Sequence, residues 1–206
     1  YSPVAIFLNF NSGFQRLSSK TLDESMGLWR CIEVVDFDDD GDLDLLLGNL
    51  GKNNMLSVSS KSPLIISTRD LDKNGSVDPL MFNSQQNKNG EWDMFPVQFW
   101  DNLTQQSPLF RKEFNSYHAF SKANMNYYQE KEYLIKDSLL SAKHDTSKWL
   151  ENLGSNTFKL NTLPDPLQLG PINDFLVIET AQDQSVFVIG NDFGGPPFEG
   201  NFDAFQ

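Results

Sequence analysis

Residues 36–44 read Asp-Phe-Asp-Asp-Asp-Gly-Asp-Leu-Asp, six carboxylates in nine positions. At separations of about 4–6 Å such charges repel by roughly 1 kcal/mol per pair even in water. A tight turn of this composition calls for a compensating cation or generous solvation. Oxygen donors at positions 1, 3, 5 and 9 suit a hard cation, and calcium takes roughly six to eight oxygens. Gly41, at position 6, permits the sharp bend, and position 7 can offer its main-chain carbonyl. The spacing assigns Asp36, Asp38, Asp40 and Asp44 as side-chain ligands and Asp42 as a main-chain ligand. Residues 70–78, Asp-Leu-Asp-Lys-Asn-Gly-Ser-Val-Asp, repeat the pattern 34 positions later. There Asp70, Asp72, Asn74 and Asp78 fill the side-chain places and Ser76 gives the carbonyl. Asn74 replaces a carboxylate and Lys73 stands beside it, so the second site should bind more weakly. Two Ca2+ sites are the expectation.

An EF-hand would need a bidentate Glu at position 12 and flanking helices. Position 12 is Leu47 in the first turn and Met81 in the second, and position 9 already holds an aspartate. The EF-hand fails on its chemistry.

The elements that must hold these turns are apolar runs. Residues 28–35 and 45–49 flank the first turn, and 64–69 and 79–82 flank the second. The 34-residue interval falls in the range of repeats and propeller blades. Residues 175–178 and 185–189 form a third pair, ending Ile-Gly-Asn where the first ends Leu-Gly-Asn. Between them stand Glu179, Ala181 and Asp183, with Gln182 and Gln184. If Glu179 is position 1, position 3 lacks an oxygen, position 6 lacks glycine and position 9 is Phe187. That hairpin should keep its strands and hold no metal. Residues 6–14 and 149–158 each place Asn and Gly before an aromatic, which suits a hairpin. Repeated hairpins at this spacing predict a mainly β, radially repeated architecture.

Residues 101–145 break the pattern. Ser107 can cap a helix whose first turn holds Pro108. Phe110, Phe114 and Tyr117 then fall on one helical face, and a second helix is expected from Asn126 through Leu140. Polar residues 83–90 read as an exposed loop. The expected organisation is blades with two calcium turns over 1–100, an α-helical insertion over 101–145, and a further blade with a degenerate turn over 146–206. Because the sequence opens at Tyr1 inside a strand-like run, it reads as one piece of a longer propeller.

Residues 36–49 and 70–82 resemble FG-GAP/VCBS repeats of β-propellers, in which a D-x-D-x-D-G-x-x-D loop sits between blade strands. Residues 48–53, 72–79, 110–120 and 191–203 together resemble the large bacterial VCBS-repeat proteins that carry an ASPIC/UnbV domain. The likeness covers most of residues 24–206. It implies a calcium-bound propeller segment of an exported protein at the cell surface or outer membrane, and it does not imply an enzyme. The third hairpin departs from the family pattern at its missing acids.

Composition sets the remaining bounds. Sixteen Lys and Arg against 28 Asp and Glu leave a net charge of −12 over 206 residues. That field repels phosphate backbones, so no nucleic-acid partner is expected. Seventeen Phe, five Tyr and four Trp can fill a core, and no apolar run is long enough for a transmembrane helix. Cys31 is the sole cysteine, so neither an internal disulfide nor a Cys-based zinc cluster can form. His118 and His144 have no spaced ligand partners, and no hydrolase, Walker or zinc-protease motif occurs. Glu199 and Asp203 could in principle pair as glycosidase carboxylates, but nothing sets them across a cleft. Trp92, Phe95, Phe99 and Trp100 cluster, either as core or as a platform for sugar rings. The leading expectation is a scaffold for a protein or other ligand at the cell surface. The alternatives are a glycan-binding module of a polysaccharide-uptake system and a non-catalytic part of a larger carbohydrate-active enzyme.

Overall fold

The apolar runs around both acidic turns become paired strands. The computed structural model describes residues 2–180 and 183–193. In chain order the elements are β1 (Phe7–Phe10), β2 (Gly13–Arg16), α1 (Lys20–Glu24), β3 (Cys31–Val35), β4 (Asp44–Gly48), β5 (Leu64–Ser67), β6 (Leu80–Gln86) and β7 (Trp92–Pro96). Helices α2 (Trp100–Gln106), α3 (Pro108–Glu113), α4 (Tyr117–Phe120) and α5 (Met125–Glu130) follow. The chain then closes with β8 (Leu139–Ala142), β9 (Lys148–Asn152), β10 (Phe158–Thr162), β11 (Ile172–Glu179) and β12 (Gln184–Gly190). The protein is mainly β, and its sheets are antiparallel. Among the described residues no helix is long and apolar enough to cross a membrane.

The chain forms two compact units, Tyr1–Met55 with Lys143–Gln206, and Leu56–Ala142. In the first, strands lie in the order β10-β9-β4-β3, beside the hairpins β1-β2 and β11-β12. Leu46 joins a core of Val35, Leu163, Ile172 and Phe175, while Leu47 joins Val4, Leu22 and Leu150. Successive side chains point to opposite faces, so β4 is buried on both. That is why residues 45–47 are three leucines in a row and not an alternation. The first acidic turn joins β3 to β4, with Val35 paired to Asp44.

In the second unit the order is β7-β6-β5-β8, and the second acidic turn joins β5 to β6. Leu80 and Phe82 pack with Leu103, Phe110, Phe114 and Tyr128 from the helices. Phe82 meets Tyr128 edge-on at 5.2 Å. Replacing Phe110, which is fully buried, by Ala would cost roughly 3–5 kcal/mol. The helices thus share a unit with β5–β8, whereas β9 and β10 complete the sheet that β3 and β4 begin.

The helical segment departs from its expected layout. Ser107 does cap α3, accepting from the Leu109 amide, and Pro108 opens the helix. The helix stops at Glu113 because Phe114 turns extended (φ −115°, ψ 126°), and Ser116 caps a separate α4. Phe110 and Phe114 are buried, but Tyr117 is 58% exposed. The next helix is capped by Asn124, not Asn126, and ends at Glu130. Glu132 then takes a positive φ of 60°, and residues 139–142 serve as a fourth strand against β5. Pairing with an apolar edge outweighs helix propensity there. The expected loop over 83–90 is also shorter, because β6 runs to Gln86. Asn83 is buried, accepting from the Ser57 amide and donating to the Ser57 carbonyl.

The third hairpin is β11-β12, closed by Glu179 paired with Gln184. Its paired ends are five positions apart, against nine for Val35 and Asp44. The tight turn is fixed by Thr180 and Asp183. Ala181 and Gln182 lie outside the described residues, as do Glu199 and Asp203 and most of the resembling segment 191–203.

Candidate metal centre

Both acidic turns adopt one backbone. At position 4, Asp39 and Lys73 take φ 60° and 61°, and at position 6, Gly41 and Gly75 take 92° and 91°. At position 6 glycine takes the left-handed conformation without the Cβ penalty other residues would meet. Position 1 accepts from two amides in each turn. Asp36 Oδ1 and Oδ2 take Asp40 N at 3.1 Å and Gly41 N at 3.0 Å. Asp70 takes Asn74 N at 3.1 Å and Gly75 N at 2.8 Å. Position 5 folds over position 7, with Asp40 Oδ1 accepting from Asp42 N at 2.9 Å and Asn74 Oδ1 from Ser76 N at 2.8 Å. Position 9 is buried and reaches back to position 2, so Asp44 accepts from Phe37 N and Asp78 from Leu71 N.

Carboxylate oxygens of Asp36, Asp38 and Asp40 lie within 4.8 Å of one another, as do those of Asp70, Asp72 and Asp78. The first group gathers positions 1, 3 and 5; the second gathers 1, 3 and 9. Asp44 instead holds the Asn152 amide at 2.7 Å. Asp42 and Ser76 sit at the exposed tips. Partial desolvation, then the charges of Asp40 and Asp44, push the Asp38 carboxyl above its ordinary range. The donor sets are oxygen throughout, which fits a hard cation and suits neither zinc nor copper.

Several residues that steady the turns carry no motif in the sequence. Asn152 Nδ2 donates to the Leu43 carbonyl, and Gln184 Nε2 donates to the Asp36 carbonyl at 2.8 Å. Phe37, at position 2, packs edge-on against Trp149 at 5.0 Å and anchors the turn in the core. In the second turn Leu71 packs against the aromatic core, and Ser107 Oγ donates to Asp72 Oδ2 at 3.1 Å. The alternation of acid with apolar residues at position 2 could have signalled the anchors. The partners from distant elements depend on tertiary structure alone.

Several titratable groups elsewhere are engaged in structure. The Tyr127 and Tyr133 hydroxyls and Lys131 converge on Glu113 and hold its carboxyl below the usual range, the Tyr127 bond first. The half-buried Cys31 thiol lies 3.6 Å from the Ile172 carbonyl, and burial pushes it up. His144 stacks on Trp29 at 6.3 Å, burial pushes it down, and His118 is exposed. Trp92 is 65% exposed, whereas Trp100 is half-buried, packs edge-on with Tyr117 and donates to the Phe110 carbonyl.

Comparison with family models, with curated proteins and with solved structures gives no match.

Proposed function

We propose that the two acidic turns are calcium sites that stabilise a non-catalytic, propeller-type segment. The observation that carries this reading is the shared geometry of the two turns. Two different sequences reach the same pair of left-handed residues and the same acceptor pattern, and each gathers three carboxylates. Asp36, Asp38, Asp40 and Asp44 would hold one ion and Asp70, Asp72, Asn74 and Asp78 the other, with the carbonyls of Asp42 and Ser76 in support. The ion would supply charge neutralisation, which lets the carboxylates stay close without repulsion. Each four-stranded antiparallel sheet carries one turn between neighbouring strands, as a blade with its loop would. In this reading the chain is a scaffold of an exported, surface-attached bacterial protein that presents a binding surface to a protein or other ligand.

A second reading, a glycan-binding module, draws on the exposed Trp92 indole, which could stack on a sugar ring. Trp100 offers less to it, since its ring is committed to Tyr117 and Phe110. A thermal melt in excess calcium against chelator tests the metal role. An ion at about 100 times its dissociation constant adds about 2.7 kcal/mol per site, which should appear as a rise of several degrees. Identical melts would remove the reading. A glycan-array screen distinguishes the two binding roles.

A further inference from the structure

Asn followed by Gly occurs twice in this sequence, at Asn74 in the second acidic turn and at Asn89 between β6 and β7. All four residues are exposed. We infer that Asn89 is a site of spontaneous deamidation, and that Asn74 is held back by the hydrogen bonds of its turn. In this reaction the backbone nitrogen of the glycine attacks the asparagine Cγ. A C–N bond forms, the carboxamide nitrogen leaves as ammonia with the proton the backbone amide lost, and a cyclic imide results. Water then opens the imide at either carbonyl, giving aspartate or isoaspartate. Glycine in the following place has no Cβ to obstruct ring closure.

The two sites differ in what must first be broken. Gly90 N–H donates to the Asn87 carbonyl at 2.9 Å, a neutral bond in the exposed turn that closes the β6–β7 hairpin. No hydrogen bond holds the Asn89 carboxamide among the described residues; Asn89 is tied only by its backbone amide, which donates to Asn87 Oδ1 together with the Glu91 amide. At the other site Gly75 N–H donates to the Asp70 carboxylate at 2.8 Å. A negative acceptor strengthens that bond and opposes loss of the proton that attack requires. The Asn74 carboxamide is tied as well, through Oδ1 to Ser76 N. The same dipeptide is thus loose in one turn and doubly tethered in the other.

Conversion at Asn89 would place a new charge beside Glu91, whose carboxylate holds Asn87 Nδ2. Isoaspartate would also lengthen the backbone inside the turn that the Asn87 N to Glu91 O bond closes. Because Asp70 and Asn74 are proposed cation ligands, the test is run in chelator, where only the hydrogen bonds of the turn hold Asn74. It consists of incubation of the folded chain at mildly alkaline pH, with peptide mass spectrometry at intervals and isoaspartate labelling by a carboxyl methyltransferase. Asn89 should convert roughly tenfold faster than Asn74, the ratio set by a charge-assisted against a neutral bond. In concentrated urea the two rates should converge. Gly90→Ala should slow Asn89 alone, and Asp70→Ala should speed Asn74. Equal rates in the folded chain, a faster Asn74, or an Asn74 rate indifferent to Asp70→Ala would overturn the inference.

Discussion

Around the first acidic turn the steadying partners come from strands, around the second from a helix cap. Asn152 at the end of β9 and Gln184 at the start of β12 grip residues 36–44. Ser107, which begins α3, grips Asp72. The backbone is the same in both, so the local sequence is enough to shape the turn, and the surroundings decide what else position 9 holds. Where Asn152 engages Asp44, the cluster forms at positions 1, 3 and 5. In the second turn position 5 is Asn74 and not a carboxylate, and Asp78, which accepts from the Leu71 amide, is the third carboxylate beside Asp70 and Asp72.

The largest effect should come from removing position 9. Asp44→Ala orphans the amides of Phe37 and Asn152, at roughly 1–3 kcal/mol for each that stays buried. Asp78→Ala orphans the Leu71 amide alone. Urea unfolding in chelator should therefore rank Asp44→Ala as the more damaging; the reverse order would break the comparison. Next in size, Asp40→Ala should weaken calcium binding at the first turn by roughly tenfold or more, since it removes a charge as well as a ligand. Asn74→Ala removes only a neutral donor and should cost less, as titration of each variant would report.

Ser107→Ala separates the turns more finely. Loss of the α3 cap should cost about 1 kcal/mol in unfolding experiments. Calcium affinity at the second turn should fall with it, while the first turn is unchanged. Equal losses at both turns would contradict the local role of Ser107. Smallest is a pH effect. The Asp38 carboxyl is raised in the folded chain, so its contribution to stability is greatest when it is protonated and is lost as pH rises through its folded pKa. In chelator the stability of the chain relative to Asp38→Asn should rise as pH falls from neutral toward that range, a comparison that cancels the opposing titration of Glu113 and Glu151, and excess calcium should abolish the trend.

Spacing made the turns legible because the chemistry there is local. Nine residues contain the acids, the glycine and the apolar plug, and the backbone follows from them. The strand pairs were legible for the same reason, since β3, β4, β5 and β6 lie immediately beside the turns. Helix capping by Ser107 was equally readable. The path beyond it was not, because Phe114 leaves the helix to reach the aromatic core and residues 139–142 complete a sheet begun by β5, more than 70 positions earlier. Nothing near Leu139 signals that strand. The partners Asn152, Gln184 and Ser107 belong to the same class, since each reaches a turn from a distant part of the sequence.

The most direct test of the central claim is calorimetric titration of the chelator-stripped chain with calcium. Two sites per chain are expected, unequal in affinity, with Asp40→Ala weakening the tighter and Asn74→Ala the weaker. Absence of binding heat, together with a melting temperature indifferent to calcium, would show that the acidic turns are solvated charge and nothing more.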